Sequence, residues 1–258
     1  MENKKNAFEK LLNIMDELRE KCPWDKKQTF ESLRILTIEE TYELVDAILD
    51  KNHNKIKKEL GDLLLHIVFY SKIGSETNSF DINDVINSLC EKLIFRHPHI
   101  YGDVSVNNAL EVEQNWEDLK LKEKGGNSSV LDGVPKSLPA LVKANRIQNK
   151  VRGVGFDWDE KSQIWDKVEE ELDELKNEVL NNSSSEDIEA EFGDLLFSMI
   201  NAARLYDIDP ENALERTNKK FIKRFNYLEE KTIKQGKDLH KMNLDEMNKI
   251  WEEAKQFD

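Results

Sequence analysis

Residues 38–44 read IEETYEL, and residues 59–65 read ELGDLLL. Glu40 and Glu43 stand three apart, and so do Glu59 and Asp62. Residues at that spacing share one face of a helix, with Cβ atoms about 5–6 Å apart. Around the first pair, Leu33, Leu36, Tyr42, Leu44, Val45, Ile48 and Leu49 recur with a helical period rather than by alternation. Helices are therefore expected over 32–49 and 56–73, joined by the polar turn DKNHN at 50–54. So short a turn makes the two helices antiparallel neighbours and brings the acidic pairs together. Asp62 lies within the apolar run LGDLLLHIVF, where an uncompensated charge is costly. The expectation is a buried cluster of four carboxylates carrying about −4, unstable without a cation.

Further along, Asp81-Ile82-Asn83 reads as the cap and start of a third helix over 82–96. RHPHIYGD at 96–103 ends it, because proline cannot continue a helix interior. A further helix is expected over 109–123. No segment requires a strand, so the fold class is all-α.

The same order of motifs then recurs. Glu171 and Glu174 in EEELDEL match Glu40 and Glu43, and Glu191 and Asp194 in EFGDLLF match Glu59 and Asp62. Lys220 and Arg224 in KFIKR match Lys92 and Arg96 in KLIFR. Trp158-Asp159 matches Trp24-Asp25, and Trp251-Glu252 matches Trp116-Glu117. Offsets of 128 to 135, kept in one order, indicate a duplicated unit. NNSSSED at 181–187 is the second copy's polar turn. KEKGGNSSVLDGVPKSLP at 122–139 is rich in residues that punctuate or link. The expected organisation is a helical domain over 1–125, a linker over 126–145 and a second helical domain over 146–258.

Composition narrows the function classes. There are 38 Lys and Arg against 52 Asp and Glu, a net charge of −14. That is the wrong sign for a sequence-independent nucleic-acid binder, whose affinity comes from neutralising phosphates, and for a polybasic membrane-surface protein. No run approaches the roughly 18 apolar residues of a membrane span. MENKKNAFEK lacks the apolar core of a signal peptide. Cys22 and Cys90 do not make a disulfide framework, so a cytoplasmic location is expected.

The duplicated carboxylates carry the chemistry. A hard divalent cation with a preference for oxygen suits them, and Mg²⁺ keeps waters and meets substrate phosphates. Mn²⁺ is the alternative. The metal-ligand candidates are Glu40, Glu43, Glu59 and Asp62 in the first copy and Glu171, Glu174, Glu191 and Asp194 in the second. Lys92 with Arg96, and Lys220 with Arg224, are four apart on one helix face and suit phosphate oxygens. Trp158 and Trp251 are candidates for stacking on a nucleobase. His66 follows Asp62 by four, but its match is Ser198, which disfavours the Glu-x-x-His pairs of di-iron bundles.

CPWD at 22–25, EETYE at 39–43, ELGD at 59–62, RHPH at 96–99 and GVP-x-SLPAL-x-KA at 133–144 together resemble the MazG family of nucleoside triphosphate pyrophosphohydrolases. The resemblance extends over roughly 8–256. It implies tandem domains of the all-α nucleotide pyrophosphohydrolase type, each completing a four-helix-bundle-like site in a homodimer. It implies nucleoside triphosphates, ATP included, as substrates, cleaved to monophosphate and pyrophosphate with Mg²⁺. It places the family's basic segment on Lys220, Phe221, Lys223 and Arg224, and offers Lys167, Lys120 and Trp251 as further nucleotide contacts. Glu170, Glu171 and Glu174 are the expected catalytic residues, Glu170 as general base. The basic motifs diverge, with RHPHI ending the first and RFNYL the second, so the second domain is the expected main site. The rivals are a non-catalytic regulatory or interaction module, and a narrower relative acting on dUTP or a phosphoribosyl nucleotide.

Overall fold

A computed structural model describes residues 2–106, 108, 111–112, 115–116, 119 and 129–257. The chain divides into two compact units, Met1–Val106 and Asn107–Asp258. No strand occurs among the described residues. Of the helix expected over 109–123, Glu111, Val112, Asn115, Trp116 and Leu119 are described, and all five are helical.

Unit 1 runs α1 (Glu2–Lys21), a 3-10 turn (Asp25–Lys27), α2 (Phe30–Leu49), α3 (His53–Glu76), α4 (Ile82–Arg96) and the short α5 (Pro98–Tyr101). Local chemistry sets these limits. Thr29 and Ser32 form a reciprocal capping box at α2: the Ser32 N–H donates to Thr29 Oγ1 at 3.2 Å, and the Thr29 N–H to Ser32 Oγ at 2.8 Å. Lys51 takes a positive φ of 52° in the turn, and Asn52 then caps α3 by accepting from the Lys55 N–H at 3.1 Å. Asp81 caps α4 as expected, accepting from the N–H groups of Asn83 and Asp84 at 2.7 and 3.0 Å. Pro98 opens α5 at its first turn.

Helices α2 and α3 form the antiparallel hairpin, and α1 lies against α3. The unit's core is Met15, Leu33, Val68, Phe69 and Ile73, with Leu36, Leu65 and Tyr70 packed on it. Each such large apolar side chain contributes roughly 1.5–3 kcal/mol when taken from water. Arg19 reaches from α1 to the end of α3, its Nε donating to Glu76 Oε1 at 2.8 Å. Tyr70 stacks on Phe30 at 5.8 Å, and its hydroxyl lies 2.7 Å from Thr37 Oγ1.

Unit 2 runs α6 (Ala140–Arg152), α7 (Gln163–Leu180), α8 (Ser185–Leu205), α9 (Pro210–Lys234), a 3-10 turn (Leu239–Lys241), α10 (Leu244–Ala254) and a last 3-10 turn (Lys255–Phe257). Helix α6 begins at Ala140, inside the stretch 126–145 that composition marks as linker. Helices α7 and α8 repeat the hairpin, with Asn182 at φ 51° in the turn and Ser184 capping α8. The core here is Ile164, Val168, Ala202 and Leu205, with Leu195 against it. Helix α9 has 25 residues where α4 has 15. The first copy stops at His97-Pro98, whereas the second carries Phe225-Asn226 and continues its helix. The extra length packs against α10, where Leu228, Thr232, Ile250 and Ala254 are buried.

Candidate functional site

Each hairpin brings three of its four predicted carboxylates together. Oxygens of Glu171 and Glu174 on α7 and Glu191 on α8 lie within 4.8 Å of one another. Oxygens of Glu40, Glu43 and Glu59 repeat the arrangement in unit 1 to the same limit. Asp62 and Asp194 stand outside these triplets, one helical turn on from Glu59 and Glu191, and both still act on the cluster through their charge.

The clusters are not buried in the single chain, contrary to expectation. Glu59 and Glu171 are buried, Glu40, Asp62 and Glu191 are half-buried, and Glu43, Glu174 and Asp194 are exposed. The reason lies in the hairpins, which keep apolar side chains at the surface beside the acids. Leu60 and Leu64 flank Asp62, and Phe192 and Leu196 flank Asp194, all substantially exposed. An apolar run therefore does not bury its charge here.

The electrostatics report crowding of like charges. Desolvation, then Asp62 and Glu43, push the Glu40 carboxyl above its ordinary range, with Lys58 opposing. Desolvation, then Glu174, Asp194 and Glu171, push Glu191 up in the same way. Glu40 Oε2 is buried without a hydrogen-bond partner. Converging carboxylate oxygens are the kind of ligand that hard divalent cations prefer.

One lysine serves each cluster. Lys167 Nζ lies 2.7 Å from Glu171 Oε1 and 3.1 Å from Glu170 Oε1, and these hydrogen bonds raise its pKa. In unit 1 the lysine is Lys58, donating to Glu59 at 3.0 Å and to Asp62 at 3.2 Å. Sequence reading missed Lys58. The signal was available, since Lys58 is four before Asp62, the spacing of a helical ion pair. The two lysines come from opposite helices of the hairpin. Leu36 stands where Lys167 would match, and Ala190 stands where Lys58 would match.

The predicted basic residues gather elsewhere. On α9, Phe221 lies 4.9 Å from the Trp251 ring of α10, and the Arg224 guanidinium sits 5.7 Å over that ring. Lys220 is exposed, and Lys223 donates to the Phe257 carbonyl. Phe221, Arg224 and Trp251 thus form one patch, in which Trp251 is half-buried. In unit 1, Lys92 is exposed and Arg96 half-buried on α4. Lys120 lies outside the described residues. His66 is buried in unit 1, edge-on to Tyr70 at 6.4 Å, and burial lowers its pKa.

A model of the MazG nucleotide pyrophosphohydrolase domain matches residues 28–101 and again 160–228, the two hairpins and the helices that carry the basic motifs. A Thermotoga maritima protein named nucleoside triphosphate pyrophosphohydrolase/pyrophosphatase MazG is 45% identical over 251 residues, covering 96% of this chain and 95% of its own. The Escherichia coli K12 protein named nucleoside triphosphate pyrophosphohydrolase is 40% identical over 256 residues, 97% of each. An uncharacterized Bacillus subtilis protein, YabN, is 47% identical over 254 residues, 97% of this chain and 52% of its own. No helix among the described residues is long and apolar enough to cross a membrane. With two matching segments, and with relatives aligned end to end across both acidic hairpins, the chain belongs to the MazG nucleotide pyrophosphohydrolase family.

Proposed function

We propose that this protein hydrolyses nucleoside triphosphates to the monophosphate and pyrophosphate, with Mg²⁺ as cofactor, and that unit 2 is its main site. The observation that carries this reading is the triplet of Glu171, Glu174 and Glu191, with Asp194 one turn beyond. Those four residues would hold the cation. When bound, it supplies Lewis-acid polarisation of phosphate oxygens and a more acidic water.

The chain's own residues do the rest. Water attacks the α-phosphorus, the bond to the α–β bridging oxygen breaks, and pyrophosphate leaves with that oxygen. Glu170, exposed and held by Lys167 at 3.1 Å, takes the proton from the water. Lys167 neutralises charge on the phosphates. Lys220, Lys223 and Arg224 add positive charge along α9, and Trp251 backs Arg224. Relatives that carry the pyrophosphohydrolase name along their whole length support the reaction class.

Homodimerisation is part of the proposal. The hairpin of unit 2 leaves Phe192, Leu196 and Met199 exposed on α8, an apolar surface of the kind that marks interaction sites. A second copy would cover it and shield the carboxylates beside it.

The test is pyrophosphate release from a panel of canonical and modified triphosphates, with and without Mg²⁺. Turnover that requires Mg²⁺, and that Glu174→Ala and Asp194→Ala abolish, is the expected result. Unchanged turnover in both variants overturns the site. No turnover on any nucleotide favours a regulatory module instead.

A further inference from the structure

The two acidic hairpins differ in the positive charge that each already contains. In unit 1 it is the ammonium of Lys58, on α3 itself. Lys58 Nζ lies 3.2 and 3.0 Å from the two oxygens of Glu59, and 3.2 Å from Asp62 Oδ2. It thus directs its N–H donors at two of the four candidate cation ligands. Helical spacing brings this about, because Lys58 precedes Asp62 by four and both lie on one face of α3. The same charge acts on Glu40 across the hairpin.

Unit 2 lacks this contact. Ala190 stands on α8 at the position of Lys58, and its methyl group carries no charge. The lysine of unit 2, Lys167, comes from α7 and touches one candidate ligand, through Glu171 Oε1 at 2.7 Å. Its other partner is Glu170, outside the ligand set. Among the described residues, no lysine or arginine pairs with Glu191 or Asp194. The carboxylates that match them, Glu59 and Asp62, are the two that Lys58 holds.

The chemistry of the divalent cation gives that difference a consequence. Mg²⁺ demands near-octahedral oxygen geometry and sheds its waters reluctantly. Carboxylates already bonded to an ammonium must first release it. An ammonium that stays close repels a second positive charge. Lys58 is the chain neighbour of Glu59, so it competes for these oxygens as a tethered group, at high effective concentration. Its side chain is 64% exposed, and solvent screening weakens each contact. The effect expected on cation affinity is therefore about ten-fold rather than an absolute block.

We propose that Lys58 is a built-in counter-cation of the unit 1 cluster, which disfavours divalent-cation binding in that half and leaves it to unit 2. The hairpin of unit 1 is neutralised in part by its own chain, as suits a scaffold. That of unit 2 is completed from solution. The inference rests on the reading of the acidic clusters as Mg²⁺ sites, and it names the residue that sets the two apart.

The experiment is Mn²⁺ binding to the full chain without nucleotide, followed through the electron paramagnetic resonance of free Mn²⁺. Glu174→Ala with Asp194→Ala disables the unit 2 cluster, so that unit 1 is read alone. In that background Lys58→Ala is expected to tighten Mn²⁺ binding about ten-fold. Lys58→Arg keeps the charge and should change it less than about two-fold. Ala190→Lys, in the otherwise wild-type chain, is the reciprocal change and should weaken the tighter Mn²⁺ sites about ten-fold. Ala190 is exposed, so the longer side chain has room. A thermal midpoint without metal checks that each variant folds. Equal affinity with and without Lys58, or equal tightening by Lys58→Ala and Lys58→Arg, overturns the role of Lys58 alone. So does an unchanged affinity in Ala190→Lys. A wild type that binds no Mn²⁺ overturns the underlying cation reading, and the role of Lys58 with it.

Discussion

In unit 1, Phe69 and Met15 pack with Leu33, Val68 and Ile73 behind the acidic hairpin. In unit 2 Asn201 stands where unit 1 has Phe69, and it lines a cavity together with Gln148. The carboxylates in front of these positions are the same in both units. The duplicated halves thus keep one acidic frame and use the space behind it differently. Apolar filling strengthens a hairpin as scaffold. Polar, open lining weakens the core and leaves a place for a ligand. The counter-lysine moves as well, from α3 in unit 1 to α7 in unit 2. Lys58 bridges two of the candidate cation ligands, Glu59 and Asp62, whereas Lys167 leans on one, Glu171, and on Glu170, and leaves Asp194 clear.

The largest effect should come from removing the same carboxylate in each half. Glu174→Ala is expected to lower kcat for pyrophosphate release about 100-fold or more, because metal-assisted charge stabilisation is worth several kcal/mol. Glu43→Ala, its counterpart, should leave more than about half of the activity. Initial rates with saturating triphosphate and Mg²⁺ read both. Equal losses would break the comparison and make unit 1 a second working site.

Stability should separate the halves in the opposite sense. Phe69→Ala removes a core ring and is expected to cost about 3–5 kcal/mol. Asn201→Ala, at the matching position, should cost less than about 2 kcal/mol, since it empties no apolar core. Denaturant midpoints at constant slope measure the difference. A large penalty for Asn201→Ala would mean that its bonds with Arg204 carry more of unit 2 than the cavity suggests.

How far this was legible from sequence depended on the range of the cause. Helices α2, α3 and α4 follow from apolar period and caps within a few residues, and Asp81 and Asn52 mark their starts by their own side chains. The acidic pairs follow from spacing along single helices, so Glu40 with Glu43 and Glu171 with Glu174 could be named at once. Burial was misjudged at Asp194 because it depends on what covers the apolar face, which no local pattern states. The Gln148 contact lay beyond reach for another reason. Its Nε2 donates to the Phe197 carbonyl of α8, 49 residues away in the chain.

Cation binding should sharpen the comparison further. A ligand that binds only the folded chain stabilises it by about 2.7 kcal/mol at 100 times its dissociation constant. Mg²⁺ is therefore expected to raise the thermal midpoint, and chelation to reverse the rise. Glu191→Gln should remove most of the shift, and Glu59→Gln less of it, if unit 2 is the stronger site. Calorimetric scans with and without Mg²⁺ on the two variants decide the order. A shift lost equally in both would assign the cation to the two hairpins alike.

The smallest effect concerns the tie between α1 and α3, which anchors the filled core of unit 1. The Arg19 guanidinium, through its hydrogen bonds and charge, holds the Glu76 carboxyl below its ordinary value of 4.5. A depressed folded pKa adds stability that is fully present above the unfolded value near 4.5. That stability is lost as pH falls through the lower folded value. Glu76 is 37% exposed, so solvent screening keeps the contribution to about 1 kcal/mol or less. Glu76→Gln should therefore lower the midpoint slightly at pH 7 and not at all once the carboxyl is protonated. Unit 2 sets the contrast, because Ile208 stands at the position matching Glu76 and Arg152 faces Asp157 at 3.9 Å. An acid-dependent difference between wild type and Glu76→Gln that grew toward low pH would have the wrong sign. It would mean that the pair strains α1 against α3 rather than fastening it.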